Sequence, residues 1–435
     1  MFRFWVAFLA LVTTGLTSLL VFRIVRNGLS SDGRGKVTRG LLIALVLGGM
    51  LYLFQGPIYY HLLPGAILVL WLFDREKPAR ILCAVVLASA WEGLGRVNWF
   101  LLPAGLAITL YLLTVPAAGG RVWRYLIWPL TWGFSGAAAS LAAYSLFIKT
   151  FHYVVPFFNP NMHYAFFKFK LWPNPGYRLG LIPGIALLSF PLLVVILAAS
   201  LRKYNLVHWV RWLILALLLG VFFVGSTIVS LRAGGGTDLH NYDTFILLLF
   251  TVGSFLGMGA VVPEKAGANM PQPMLGNPFV LLGLLAIPVY LLTRNLPAPI
   301  DFSEEKVQAA IQRDRTFLQN ADPGPGPVLN IGERQLVVYK LIPDADLFVP
   351  YSKIELMEMA MANNQSYLGR FFMDLQAHRF SYIISNPFAT ITQGLQHSYG
   401  YENDVWSGYV ALPVLEFYEP VYTDATTGLV VYAPK

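Results

Sequence analysis

The chain has 435 residues, of which 56% are hydrophobic and 12% are charged, more apolar surface than one soluble core can bury, so the composition favours a membrane protein. The formal net charge of +8 divides into +15 in residues 1–294, with 22 Lys and Arg against 7 Asp and Glu, and −7 in residues 295–435, with 9 against 16. The basic excess therefore belongs to the connections between apolar segments and indicates no nucleic-acid partner.

Apolar segments long enough to cross about 30 Å of hydrocarbon recur along the first 294 residues. The first of them lacks the short apolar core and small-residue cleavage site of a signal peptide, so we expect a retained helix. About ten spans are predicted, at 4–25, 41–54, 58–73, 78–94, 99–115, 123–147, 179–200, 212–231, 244–262 and 277–293. The second and third are short and meet at "QGP", which fits either a hairpin of tilted helices or a re-entrant pair.

Lys and Arg in short loops prefer the cytoplasmic side, which assigns a side to each connection. Four cation-rich loops fall on that side when the spans alternate, at 26–40, 74–80, 116–124 and 201–211. The opposite side receives the loops at 55–61, 92–98, 148–178 and 232–243 and the chain after Arg294. We therefore predict a multi-pass protein of the cytoplasmic (inner) membrane with an extracytoplasmic C-terminal domain. The cations of loop 148–178 run against this cytoplasmic preference. An even number of spans with an outer C-terminal domain also places Met1 outside, as expected for a chain that starts one helix late.

The periodicity changes after Arg294. Ser303 is predicted to cap a polar helix that ends near Asn320, and "ADPGPGP" follows it. Short apolar runs at 328–331, 347–350 and 382–385 then alternate with helical patterns, and "EPVYTDATTGLVVYAPK" is typical of a hairpin.

The predicted fold class is thus mainly α, with a polytopic transmembrane helical domain in residues 1–294 and a small soluble α/β domain with a parallel core in residues 295–435. The single cysteine allows no disulfide within the chain. The C-terminal domain carries no catalytic motif, so it is expected to position an acceptor or dock a protein partner, or only to stabilise the outer face.

Two predicted outer segments carry ionisable side chains beside apolar spans. In "WEGLGRVNWFLLP", Glu92 and Arg96 lie about one turn apart at the end of a span, where such groups are costly unless paired or functional. They form either a structural ion pair between interfacial tryptophans or part of a site.

The second segment is "RAGGGTDLHNYD", from Arg232 to Asp243. Its glycines let backbone N–H groups approach an anion, and its arginine can bind a phosphate bidentately. Its acids and histidine are candidate bases or metal ligands, although no spacing defines a metal site. The alternative is a flexible, solvated hairpin. The candidate residues here are Arg232, Gly235, Gly236, Asp238, His240, Asn241 and Asp243.

A third outer segment, residues 147–178, mixes aromatic and basic side chains and includes Lys149. Aromatic rings settle at the headgroup level while Lys and Arg attract phosphate, so we expect this segment to lie on anionic membrane lipid. It is either an interfacial belt or a mobile flap that guides a lipid-linked substrate.

These features together resemble the bacterial GT-C glycosyltransferases. The resemblance rests on the many spans, on "SLRAGGGTDLHNY" after a late span, on the basic aromatic loop and on the α/β tail. "GRVNWFLLPAGLAITLYLL" and "ERQLVVYKLI" are also similar to stretches of uncharacterised members. The resemblance implies transfer of a sugar from a polyprenyl-phosphate donor to an acceptor on the outer face, with inversion at the anomeric carbon.

The family pattern also implies a catalytic acid in the first outer loop, which this sequence does not show. A leading helix and loop are then absent from this chain, or another acid acts, or the protein is not catalytic. Glu92, Asp238 and Asp243 are the available acids of the predicted outer loops. The resemblance makes Asp238 the hypothetical base and Arg232 the phosphate ligand, with Lys149 or a divalent ion as alternatives and Arg96, His240 and Asn241 as further substrate contacts.

Three other functions compete with this one. An O-antigen ligase or polymerase would also place cationic loops against a polyprenyl carrier, but it does not explain the α/β tail. A non-catalytic membrane scaffold or assembly subunit would bind a partner through the acidic C-terminal domain. A transporter would usually need charged side chains in the middle of spans and a repeated pair of broken helices, and the sequence shows neither.

Overall fold

We describe the protein from a computed structural model. The described residues are 2–31, 38–55, 61–117, 122–151, 167–175, 177–203, 206–232, 239–264, 274–294, 303–321, 325–342, 351–394, 397 and 399–435. The chain divides into two compact units. The first contains ten helices within the described residues, and the second groups residues 297–435 with the described parts of 154–178 and 231–236.

A helix of the first unit lies within or across each of the ten predicted spans. The bounds are α1 Phe2–Ser31, α2 Arg39–Leu53, α3 Leu63–Leu72, α4 Pro78–Gly93, α5 Leu102–Thr114, α6 Val122–Phe151, α7 Leu181–Lys203, α8 Trp209–Leu231, α9 Asp243–Met258 and α10 Pro278–Arg294.

Five helical segments of the described chain are long and apolar enough to cross a membrane. They are Phe4–Leu29, Val97–Thr114, Leu181–Leu201, Trp209–Leu231 and Leu239–Met258. The predicted class, a mainly helical membrane protein, is confirmed at that level. Helices α2, α3 and α10 are apolar but shorter, so the number of spans remains a prediction.

Close contacts between helices depend on glycine at particular positions. A Cβ on Gly49 of α2 would overlap the Ser18 hydroxyl of α1 and the Phe250 ring of α9. The Ser18 hydroxyl donates to the Val46 carbonyl at 3.0 Å, which fixes α1 against α2. Glycine therefore lets three helices meet at one level of the unit.

Arg211 joins three helix ends at one end of the unit. This fully buried side chain donates from Nε to the Leu112 carbonyl at 2.6 Å and from Nη1 to the Val262 carbonyl at 2.8 Å. Nη1 also lies 2.8 Å from Glu264 Oε1. Partial burial acts to raise the pKa of Glu264, but hydrogen bonds from Arg211 and from the His208 backbone outweigh it and lower that pKa.

These contacts bring together connections that the charge pattern places on one side of a membrane. At the other end of α9, Trp91 Nε1 donates to the His61 carbonyl at 2.8 Å, so two connections predicted for the opposite side also meet. The alternation of the spans across a membrane remains a prediction.

The second unit has a four-stranded mixed sheet in the order β1-β2-β4-β3. Its strands are β1 Val328–Asn330, β2 Tyr382–Ser385, β3 Tyr418–Asp424 and β4 Leu429–Pro434, and its helices are α11 Glu304–Asn320, α12 Arg334–Val338, α13 Lys353–Met361, α14 Gln365–Gln376, α15 Gly400–Trp406 and α16 Leu412–Phe417.

Two of the predicted internal strands and the terminal hairpin are confirmed, and the third predicted strand, 347–350, lies outside the described residues. Only the pair β1 and β2 is parallel among the pairings described; β4 pairs with β2 and β3 in antiparallel fashion. The expectation of a parallel core was therefore only partly right. The reason is that the hairpin returns β4 to the centre of the sheet, beside β2.

Both faces of this sheet are covered. On one face, Ile383 packs with Phe371 of α14 and with Phe380 and Tyr418, all fully or almost fully buried. On the other, the Phe317 ring of α11 stacks on Tyr422 with centroids 4.2 Å apart. Ser303 caps α11 as predicted, accepting from the Lys306 amide.

We predict that Arg211→Ala destabilises the first unit by about 3–5 kcal/mol, because it removes the cation beside Glu264 and the hydrogen-bond donor of two carbonyls. Thermal unfolding of the purified full-length protein in detergent measures the effect. Arg124→Ala is the matched control, since the Arg124 side chain is exposed. Equal melting temperatures for the two variants would contradict a structural role for Arg211.

Candidate functional site

Two of the sequence segments singled out above meet at one end of the first unit. Arg96 Nη2 donates to Asn241 Oδ1 at 2.8 Å. Trp99 Nε1 donates to Asp243 Oδ2 at 2.7 Å. Both bonds join the connection between α4 and α5 to the residues at the start of α9, although more than 140 residues separate the partners. We call Glu92, Arg96, Asn241 and Asp243 the polar cluster.

Local structure explains how these side chains reach one place. Helix α4 ends at Gly93, where a Cβ would overlap the Ser140 carbonyl of α6, so the last turn of α4 packs closely against α6. A 3₁₀ turn, Val97–Trp99, then leads to α5, and another, Leu239–Tyr242, leads to α9. Asp243 begins α9 and accepts from the Thr244 amide at 2.8 Å, a placement that the helix dipole favours.

Glu92 is the most unusual member of the polar cluster. Its side chain is fully buried, and neither carboxylate oxygen has a hydrogen-bond partner among the described residues. One oxygen lies against Gly65 of α3, where a Cβ would overlap it. An ionised carboxylate buried without a partner is costly, so Glu92 is a candidate for a functional group.

The charges of the polar cluster define what it can do. Glu92 and Asp243 are close enough to interact electrostatically, and Arg96 and His240 both act on Asp243. Trp99 and the Thr244 amide hold the Asp243 carboxylate, while Asn241 holds the Arg96 guanidinium. The cluster thus combines an oriented carboxylate, which can accept a proton, with a cation, which can stabilise an anion.

The other predicted site residues are placed as follows. Lys149 lies in the last turn of α6 with an exposed side chain. Gly235, Gly236 and Asp238, the hypothetical base, lie outside the described residues. Within the ranges that the structure describes, no group of three or more His, Cys, Asp or Glu side chains is arranged to hold a metal ion.

Arg232, the predicted phosphate ligand, belongs to the second unit. Its Nη2 lies 3.4 Å from Glu358 Oε2 of α13, and both side chains are mostly buried. Its carbonyl accepts from Lys170 Nζ at 2.9 Å, and Lys170 is 3% exposed. The guanidinium therefore faces a carboxylate, which would compete with a phosphate for it.

Acidic side chains outnumber the arginine in this second group. Glu355 of α13 is 6% exposed. Burial, and then the neighbouring Glu358 carboxylate, raise the pKa of Glu355 to about 7, while Arg232 acts in the opposite direction. Burial raises the pKa of Glu358 as well, again against the effect of Arg232. Burial lowers the pKa of Lys170, and the Glu402 carboxylate opposes that shift.

Sequence reasoning did not single out Glu355, Glu358 or Lys170 as members of one group. The two acids lie in the helical pattern "IELMEMAMANN", where acids three residues apart look like an ordinary solvated face. The lysine was expected to bind lipid headgroups. Only the tertiary contacts show that these side chains are buried close to one another.

We compared the chain with protein-family models, curated proteins and solved structures, and none of them matches it. The functional argument therefore depends on the residues and their geometry.

We predict that Glu355→Gln protects α13 from amide hydrogen exchange at pH 8 but not at pH 5. The folded-state pKa of Glu355, about 7, exceeds the ordinary value of 4.5, so the folded protein binds more protons than the unfolded chain between these values. Stability therefore falls as the pH rises through this window. The neutral amide should remove a cost on the order of 2 kcal/mol at pH 8.

Exchange of peptides covering Lys353–Met361 in the full-length protein measures this effect. Glu419→Gln is the matched control because Glu419 is exposed on β3. A ratio of variant to wild-type exchange that is the same at pH 5 and pH 8 would show that burial of Glu355 carries no such cost.

Proposed function

We propose that this protein is a membrane glycosyltransferase that transfers a sugar from a polyprenyl-phosphate donor to an acceptor on the outer face of the cytoplasmic membrane. The observation that carries the proposal is the polar cluster, in which a buried, unpartnered carboxyl and an oriented carboxylate lie beside an arginine at one end of a helical membrane unit. A site of this kind suits a reaction in which a hydroxyl loses a proton and a phosphate leaves.

The chemistry would proceed in a single displacement. Asp243, which is partly exposed, takes the proton from the acceptor hydroxyl. The hydroxyl oxygen forms a bond to the anomeric carbon while the bond from that carbon to the phosphate oxygen breaks. The lipid phosphate leaves with the electron pair, and Arg96 stabilises its charge. The anomeric centre is inverted because attack and departure occur on opposite faces.

Within this proposal, Glu92 is a positioning residue. Its side chain is fully buried, and it acts on Asp243 through its charge or its proton. Asp243 takes the role that the sequence suggested for Asp238. Arg96 takes the role suggested for Arg232, whose guanidinium faces Glu358.

A second candidate is a non-catalytic assembly subunit that binds a protein partner through the second unit. It is favoured by large apolar side chains that this unit leaves exposed, among them Val338, Tyr339, Ile354 and Ile391. A subunit of this kind would need no acid in the polar cluster, so the acid variants below separate the two proposals.

We expect Asp243→Asn to lower kcat by about 10²- to 10⁴-fold with little change in KM, since it removes the general base. Full-length protein in vesicles is supplied with a panel of synthetic polyprenyl-phosphate sugars and with membranes of the producing cells as the source of acceptor. Release of polyprenyl phosphate is measured. Glu305→Gln, an exposed acid of α11, is the control. Full activity of Asp243→Asn would eliminate this mechanism.

The proposed sidedness has its own test. Alkaline phosphatase, which works only outside the cytoplasm, should be active when fused after Lys435, and green fluorescent protein should be dark there. Fusions truncated after Arg75, in a predicted cytoplasmic loop, should give the reverse pattern. Fluorescence from the Lys435 fusion would place the second unit in the cytoplasm and rule out an outer-face reaction.

A further inference from the structure

A groove of about 650 Å³ opens along α1, α2 and α3 of the first unit. Its wall is almost entirely apolar, from Leu16 of α1 through Leu42 of α2 to Trp71 of α3. Leu16 and Trp71 are 39% and 60% exposed, so the groove is open on its outer side. Its volume lies in the range of pockets that enclose small organic molecules.

The charged residues that line the groove, Arg23 and Arg26, lie at one end of it. They are one turn apart on α1, so both face the same side of that helix. From Leu16 to Arg26 the helix rises about 15 Å, which is half of the roughly 30 Å hydrocarbon thickness of a bilayer. The groove thus has the length of one leaflet, with its cations at the headgroup level.

Contacts with α9 locate the arginine end of the groove within the first unit. A Cβ on Gly28, half a turn beyond Arg26, would lie 3.6 Å from the Ala260 carbonyl, two residues beyond the end of α9. Asp243 of the polar cluster is the first residue of α9, about 24 Å away along that helix. The groove and the polar cluster therefore belong to opposite ends of the first unit.

We propose that this groove binds one anionic glycerophospholipid, with an acyl chain along the apolar wall and the phosphate on Arg23 and Arg26. The charge pattern selects this occupant, since a soluble anion makes no use of the apolar wall and an uncharged lipid makes no use of the arginines. Trp71 lies beside the same end, where an indole ring settles at the headgroup level. The site is independent of the proposed sugar transfer.

The experiment measures lipid binding to the full-length protein in detergent by native mass spectrometry. Dioleoyl phosphatidylglycerol and dioleoyl phosphatidylcholine are titrated separately, and inorganic phosphate is added as a competitor. The variants are Arg23→Ala/Arg26→Ala, Arg23→Lys/Arg26→Lys and Leu16→Trp, which fills the groove without changing charge. Arg39→Ala is the control, because Arg39 is exposed at the start of α2 and does not line the groove.

We expect one phosphatidylglycerol to bind tightly and phosphatidylcholine to bind weakly. The double alanine variant should weaken phosphatidylglycerol binding by roughly thirtyfold, because each cation near a phosphate contributes about a fivefold factor. The double lysine variant and Arg39→Ala should stay within about threefold of wild type, while Leu16→Trp should lose the bound lipid.

Three results would each overturn the proposal. One is unchanged phosphatidylglycerol binding by the double alanine variant. The second is equal affinity for the two lipids, which would mean that the arginines do not recognise the negative charge of the lipid headgroup. The third is displacement of phosphatidylglycerol by millimolar inorganic phosphate, which would identify a soluble anion as the ligand.

Discussion

Burying a polar side chain inside an apolar helical unit is costly unless another group completes its hydrogen bonds, and bonds of this kind join helix ends in the first unit. At one end, Arg211 provides donors for two carbonyls and for Glu264. At the other, Arg96 and Trp99 meet Asn241 and Asp243. Each set of bonds joins helix ends that are far apart in sequence.

Glu92 lies at the same end, and both of its carboxylate oxygens are buried without a hydrogen-bond partner among the described residues. Natural proteins keep such groups where they serve a function, since the cost of burial otherwise selects against them. The arginine at one end joins three helix ends through its bonds to two carbonyls and a carboxylate, whereas the unpartnered acid at the other end is the reason that chemistry is proposed there. The groove proposed to bind a lipid also combines the two kinds of group, with an apolar wall that ends in two cations.

The second unit also buries charged side chains beside one another, but here acids outnumber the arginine. Arg232 faces Glu358, and the carbonyl of Arg232 accepts from the buried Lys170. Glu355 adds a further buried acid on α13, close to Glu358. Burial and the neighbouring Glu358 carboxylate raise the pKa of Glu355.

The helices could be predicted because hydropathy is a local property that is repeated along each span. The strands β1 and β2 were predictable for a similar reason, as short apolar runs bounded by turn residues. The insertion of β4 beside β2 was not predictable, because strand order depends on contacts between residues about 50 positions apart.

Glu92 and Arg96 could be recognised as candidates because ionisable residues stand out beside apolar segments. Their partners could not be recognised, since the Arg96 and Asn241 side chains meet only after α5 to α8 have packed.

The sequence by itself determined that the chain is an apolar, helical membrane protein with an acidic tail, because transfer free energies and charge preferences act residue by residue. The tertiary structure alone decided which polar groups are partnered. It paired Arg232 with Glu358, and it placed Asp243 beside Trp99. The physical reason is that a hydrogen bond needs two groups within about 3 Å, and no local property of the chain determines that distance.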